Sequence, residues 1–162
     1  MSAVRCYVGL GGNIGEVRQT LHSALAALGD IPGTYLVRAS SLWRTAPVGH
    51  SDQPDFINAV AAFDSTLAPH ALLDALLALE LRFGRKRSFA NAPRTLDLDL
   101  LLHGSALVSA PCLTRPHPRM HERAFVLAPL IEIDPDCIIP GHGRAADCLA
   151  RITGQPIEKL GT

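Results

Sequence analysis

The order in which hydrophobic periodicity changes along the chain restricts its fold more than any other feature. Ala3 to Leu10 reads as a strand that ends in Gly11-Gly12-Asn13-Ile14-Gly15. Val17, Leu21, Leu25 and Leu28 then recur at helical spacing on one stripe, with Gly29 as a stop. Thr34 to Thr45 and Phe56 to Phe63 return to extended character, on either side of a loop from Pro47 to Pro54. Pro69 opens a second helix with Leu72, Leu73, Leu76, Leu77 and Phe83 on its apolar side, and Gly84 ends it. Thr95 to Leu102 alternates with a period of two, which predicts a further strand. The succession βαββαβ predicts a ferredoxin-like α+β fold, an antiparallel sheet with helices on one face. After Leu102 the pattern adds a small hairpin near Leu107-Val108 and an irregular, Pro-interrupted segment from Leu113 to Met120. A helix from Glu122 to about Ile133, bent or broken near Pro129, and a last short helix over Ala145 to Ile152 complete the chain.

The whole chain, residues 1–162, is expected to form one domain. Hydrophobic residues make up 48% and charged residues 19%, which excludes intrinsic disorder. No apolar run approaches the roughly 18–20 residues of a membrane span. Met1-Ser2-Ala3-Val4-Arg5 has no signal-peptide character, so the expected address is the cytoplasm. Cys6, Cys112, Cys137 and Cys148 form no CxxC pair and read as small buried hydrophobes rather than a zinc site or disulfide framework. Net charge is +0, which argues against a uniformly basic nucleic-acid binder. The neutral total is unevenly spread. Arg82, Arg85, Lys86, Arg87, Arg94, Arg115, Arg119 and Arg123 face only Asp97, Asp99 and Glu122 between positions 82 and 123. Guanidinium groups grip phosphate or carboxylate in a bidentate fork, so the cluster suits an anionic ligand.

Five constellations carry chemistry. In Arg94-Thr95-Leu96-Asp97-Leu98-Asp99-Leu100-Leu101-Leu102, strand alternation puts Thr95, Asp97 and Asp99 on one face and Leu96, Leu98, Leu100 and Leu102 on the other. Aspartate is disfavoured in strands, and two like charges side by side are costly unless something neutralises them. A hard divalent cation does so, and Mg²⁺ is commonly held by one or two carboxylates plus substrate phosphates. The basic loop Gly84 to Arg94 feeds straight into this strand and can carry guanidinium groups to a polyphosphate. Gly9-Leu10-Gly11-Gly12-Asn13-Ile14-Gly15 fits neither a P-loop nor a dinucleotide fingerprint, and reads as a tight strand-to-helix turn. Phe56 and Asn58, two apart on a strand, suit a flat heterocycle by stacking and edge hydrogen bonds. Pro116-His117-Pro118-Arg119-Met120-His121-Glu122-Arg123-Ala124-Phe125 gathers cations at a helix start, which suits phosphate better than zinc.

Together these segments resemble the 6-hydroxymethyl-7,8-dihydropterin pyrophosphokinase family of folate biosynthesis. The resemblance runs from Tyr7 to about Leu149. It is carried by Gly11-Gly12-Asn13, Arg44-Thr45-Ala46-Pro47, Asp52 to Asn58, Glu80 to Arg87, Pro93 to Asp99 and Pro116 to Phe125. It implies transfer of the β,γ-diphosphate of ATP to the pterin hydroxymethyl oxygen, with release of AMP and the use of two Mg²⁺ ions. It implies that Asp97 and Asp99 bind both ions. Thr45, Pro47 (or Ala46), Val48, Phe56, Asn58 and Phe125 are implied as the pterin pocket, with the two Phe rings sandwiching the pterin. Glu80, Leu100, Leu113 and Thr114 are implied near adenine and ribose. Arg85, Arg94, His117 and Arg123 are implied at the triphosphate, joined by Arg87 when the loop closes, and Arg85 and Arg94 count with the two Asp as catalytic. The resemblance also implies a monomer. The chain departs from the family's common pattern at Gly12, Asn91, Cys112 and Pro118.

Two other readings share parts of this pattern. Another Mg²⁺-dependent, nucleotide-using transferase would need the Asp strand and Arg loop but not Phe56, Asn58 and Phe125 together. A ferredoxin-like module that only binds RNA or a metabolite would turn over no ATP, and an aromatic content of 5% with no RNP1-like string speaks against the RNA form.

Overall fold

A computed structural model describes residues 2–46, 53–84, 95–110 and 113–161. The first half holds strands β1 (Val4–Gly12), β2 (Thr34–Ala39), β3 (Leu42–Thr45) and β4 (Phe56–Ser65), with helices α1 (Val17–Gly29) and α2 (Pro69–Arg82). The second half holds β5 (Asp97–His103), β6 (Val108–Ala110), β7 (Leu113–Arg115), α3 (Ala124–Ile133), β8 (Ile138–Ile139), β9 (Gly143–Arg144), α4 (Ala145–Ala150) and β10 (Ile157–Gly161).

The central sheet runs β10-β3-β4-β1-β5, with β2 also paired to β4, and the pairings are antiparallel. This is the ferredoxin-like order the sequence predicts, extended at one edge by β10. The segment from Thr34 to Thr45, read as one strand, is two: β2 and β3 pair with opposite ends of β4. Between them the Ser40 hydroxyl accepts from the Val60 N–H, and the Ser40 N–H donates to the Val60 carbonyl. Side-chain and backbone bonds thus replace the ladder at the break.

Helices α1 and α2 cover one face, as the ferredoxin-like core predicts, and the added C-terminal helices cover the other. Cys6, Val8 and Leu10 of β1 pack with Leu21 and Leu28 of α1 and Leu72, Leu76 and Leu79 of α2. On the opposite face Tyr7, Val60 and Ala62 pack with Val126, Leu127 and Leu130 of α3 and Cys148 of α4. Each such aliphatic or aromatic side chain contributes about 1.5–3 kcal/mol on burial. Tyr7 donates its hydroxyl to Asp134 Oδ2 at 2.5 Å and ties β1 to the end of α3.

Three local readings need correction. α3 starts at Ala124 after a 3-10 turn over Met120–Glu122, and Pro129 sits buried inside a continuous helix. Proline removes one N–H, so the Phe125 carbonyl loses its i+4 donor, and packing on the sheet holds the helix together regardless. Leu102 does not share a face with Leu96, Leu98 and Leu100. The register of β1 against β5 shifts between Tyr7 and Val8, so Leu101 is an extra residue, and Leu101 and Leu102 both join the α3 cluster. Gly11 and Gly12 belong to β1, and the turn into α1 is confined to Asn13–Glu16.

Candidate active site

Cross-strand partners in an antiparallel sheet project to the same face. Asp97 lies opposite Gly11, Gly11 opposite Asn58, and Asn58 opposite Trp43, in one row across β5, β1, β4 and β3. In the next row Asp99 lies opposite Gly9, which lies opposite Val60. Val60 belongs to the α3 cluster, so both carboxylates face the α3 side. The alternation of β5 thus delivers what the sequence predicts: Asp97 and Asp99 half-buried on one face, Leu96, Leu98 and Leu100 buried on the other.

Two glycines, Gly9 and Gly11, form the strand between the carboxylates and β4. A methyl group on Gly11 would come within 2.6 Å of Asn58 Oδ1, too close to coexist with that side chain in place. A methyl group on Gly9 would meet Leu101 Cδ1 at 3.6 Å, an ordinary contact. The glycine segment is therefore strand floor rather than turn, and low strand propensity hid it from a reading by periodicity.

Beside this floor sits the aromatic and amide pair. Asn58 is 7% exposed, and its Nδ2 donates to Thr45 Oγ1 at 3.2 Å. Phe56, opposite Thr45 and half-buried, shares their face. Asn13 Nδ2 donates to Gln53 Oε1 at 2.7 Å and to the Pro54 carbonyl at 2.9 Å, stapling the end of β1 to the approach of β4. Phe125, in the first turn of α3, carries the Arg123 guanidinium 5.5 Å above its ring centroid.

The segment before α3 brings cations. The His117 N–H donates to the Leu101 carbonyl at 2.9 Å, docking this segment on β5. The His117 ring is pushed down to about pKa 4, first by burial and then by Arg123 and Arg115, with Asp97 pulling the other way. It is therefore neutral near pH 7. Its Nδ1 accepts from the Arg119 N–H at 3.2 Å, so the proton belongs on Nε2, a donor available to an anion. Sequence reasoning did not single out Arg115, whose guanidinium is buried, which lowers its pKa, with Asp99 acting the other way. The signal available was its place in the basic segment from 82 to 123.

The remaining predicted residues divide. Glu80 is 2% exposed and accepts the Leu98 N–H at 2.7 Å, joining α2 to β5. Leu100 is buried in the α1/α2 core, so its side chain points away from the carboxylate face. Leu113 opens β7, and Thr114 beside it is exposed. Pro47, Val48, Arg85, Arg87 and Arg94, with Asn91 and Cys112, lie outside the described residues. Thr95 Oγ1 donates to the Phe83 carbonyl at 2.9 Å and fixes the start of the carboxylate strand against the end of α2.

Other groups offer less chemistry. Burial pushes the Cys6 and Cys137 thiols up to about 12, which removes both as nucleophiles. A cavity of about 300 Å³ beside His121, His142 and Cys148 is lined by neither carboxylate, Phe56 nor Asn58. No described helix is long and apolar enough to cross a membrane.

Comparison with known proteins gives the chain a family. The family model for 7,8-dihydro-6-hydroxymethylpterin-pyrophosphokinase matches residues 7–135. The 2-amino-4-hydroxy-6-hydroxymethyldihydropteridine pyrophosphokinase of Pseudomonas aeruginosa is 47% identical over 156 residues, covering 96% of each chain. That of Haemophilus influenzae is 42% identical over 157 residues, covering 97% of this chain and 98% of its own. Among solved structures, an HPPK-DHPS in complex with substrates superposes with a TM-score of 0.72 at 11% identity. It covers 93% of this chain, which spans 43% of that longer one, and shows a shared fold. With the matched residues running from β1 past the end of α3, the chain belongs to the 7,8-dihydro-6-hydroxymethylpterin-pyrophosphokinase family, enzymes of folate biosynthesis that act as ATP-dependent diphosphotransferases.

Proposed function

We propose that this chain moves the β,γ-diphosphate of ATP onto the hydroxymethyl oxygen of 6-hydroxymethyl-7,8-dihydropterin. The oxygen attacks the β-phosphorus, the bond from that phosphorus to the α-phosphate oxygen breaks, AMP leaves, and the hydroxyl proton is released. The observation that carries the reading is the single row Asp97–Gly11–Asn58, which sets a carboxylate and a ring-binding amide on one face with a glycine between them.

The donor set fits a hard cation. Asp97 and Asp99 offer carboxylate oxygens alone, and among the described residues no cluster of three or more His, Cys, Asp or Glu could hold a metal. Mg²⁺ suits such a site, because it is commonly held by one or two carboxylates with phosphates and water completing its shell. We assign two Mg²⁺ to this pair, where they would supply neutralisation of the charge developing on attacking and leaving oxygens. The chain's own residues then position and stabilise, which is most of what phosphoryl-type transfer requires. Phe56 and Phe125 flank the pterin, Asn58 and Thr45 bond its edge, and Pro47 and Val48 close the pocket. His117 donates from Nε2 to a phosphate oxygen, with Arg123, Arg85 and Arg94 beside it and Arg87 added as the basic loop closes. Glu80, Leu100, Leu113 and Thr114 flank the adenosine, Leu100 through its backbone. The chain acts as one domain and as a monomer in the cytoplasm.

Incubation with ATP, Mg²⁺ and the reduced hydroxymethylpterin tests the reading. AMP should form only when the pterin is present, in equal amount to pterin diphosphate. ADP as product, or AMP formed equally with an unrelated alcohol, would overturn it.

A further inference from the structure

α3 carries a carboxylate where a helix least favours one. Glu132 lies in the last turn, at the negative end of the helix dipole, and no basic residue stands in that turn. Helix stability therefore does not explain its place. Its bonds all lead to other elements. The Ser41 N–H donates to Oε1 and Oε2 at 3.1 and 3.2 Å, and the Ser41 hydroxyl donates to Oε2 at 2.6 Å. The Trp43 indole N–H donates to Oε1 at 3.0 Å, and Lys159 Nζ stands 3.6 Å from Oε2. Burial pushes the carboxyl up, but the bonds from Ser41 and Trp43, together with Lys159, hold it below its ordinary value.

These partners belong to the wall assigned to the pterin. Trp43 lies opposite Asn58 on one side and opposite Lys159 on the other, in one row across β4, β3 and β10. Thr45, two residues beyond Trp43 and on the same face of β3, accepts the Asn58 amide. At the other end of the joint, Phe125 and Glu132 are seven residues apart in α3. Seven residues make almost two full turns, so the two side chains share one stripe about 10 Å apart along the axis. Bonds that fix Glu132 therefore fix the roll of α3, and with it the direction in which Phe125 projects. We propose that Glu132 is a positioning residue for the pterin, holding β3 and α3 at the spacing and roll that bring Thr45 and Asn58 to one side of the ring and Phe125 to the other. The inference rests on the pterin reading above and adds a residue that touches neither substrate.

Steady-state kinetics of the full chain with each substrate varied, and the emission of Trp43, its single tryptophan, test the assignment. Glu132→Ala is expected to shift the emission to the red, to raise KM for the pterin about tenfold, and to leave KM for ATP within about twofold of wild type. A joint that served stability alone would lower the active fraction, and so kcat, with both KM values unchanged. Glu132→Gln keeps an acceptor oxygen for the indole and is expected to raise the pterin KM by no more than about threefold. Should Glu132→Ala not fold, Trp43→Phe removes the indole donor, keeps an aromatic ring, and is expected to raise the pterin KM about threefold. An unchanged pterin KM in the folded variants would overturn the inference, as would an equal rise in both KM values or a Glu132→Gln form as weak as Glu132→Ala. Wild type separates the two levels. If it forms AMP only with the pterin while Glu132→Ala keeps the wild-type pterin KM, the role of Glu132 fails alone. If wild type forms no pterin-dependent AMP, the pterin reading fails and takes the inference with it.

Discussion

Asp97 and Asp99 stand half-buried opposite two glycines, so neither helps to fill the core. Removing one should therefore cost turnover and not structure. Asp97→Ala is expected to keep the wild-type circular dichroism and melting temperature while kcat falls by about a hundredfold or more. Near-normal turnover in the folded variant would contradict its assignment. Gly11 makes a separate demand. Its backbone is ordinary strand, so alanine is conformationally acceptable there, but the new methyl meets Asn58 Oδ1 at 2.6 Å. Gly11→Ala should displace the Asn58 amide and raise KM for the pterin about tenfold, with KM for ATP near wild type. A loss confined to ATP would mean that the glycine serves the nucleotide.

At the scale of elements, one buried carboxylate helps to join α2 to β5. Glu80 accepts the Leu98 N–H, and that N–H belongs to the edge strand of the sheet. Glu80→Met leaves the donor buried and unpaired, a cost of about 1–3 kcal/mol, whereas Glu80→Gln keeps an acceptor oxygen. Urea unfolding of the two variants should separate them by at least about 1 kcal/mol, with the methionine form the weaker. Equal midpoints would show that the joint depends on packing alone. The same scale explains what sequence reading could reach. The carboxylate face and the leucine face of β5 were legible because strict alternation over six residues has one geometric meaning. The misplacement of Leu102 followed from the same rule, since one inserted residue reverses all later positions and leaves no local mark. β10 was not legible: Ile157-Glu158-Lys159-Leu160 is a short run whose pairing to β3 depends on a partner far away in sequence. The face taken by the added C-terminal helices was not legible, because periodicity shows that a stripe is apolar and not which side of a sheet it covers.

For the whole molecule, burial of a neutral histidine links stability to pH. His117 has a folded pKa of about 4 against 6.5 for the unmodified group. Between those values the unfolded chain binds the proton and the folded chain does not, so stability rises with pH across that window. The contribution is complete above about 6.5 and fades as pH falls toward 4, below which both states are protonated. Urea midpoints at pH 7.5 and pH 5 should show this loss, and His117→Gln should reduce it. An unchanged slope in that variant would assign the effect to other groups.

The extra residue at Leu101 lets a single short strand serve three masters. Its first half presents acid to one side and leucine to the other, and beyond the irregularity its leucines turn to support the helix above the acids. Sliding this strand by one step would expose the greasy side and bury the acids. An exchange of residues within the seven positions from 97 to 103 leaves that register in place, whereas a change in their number would shift it.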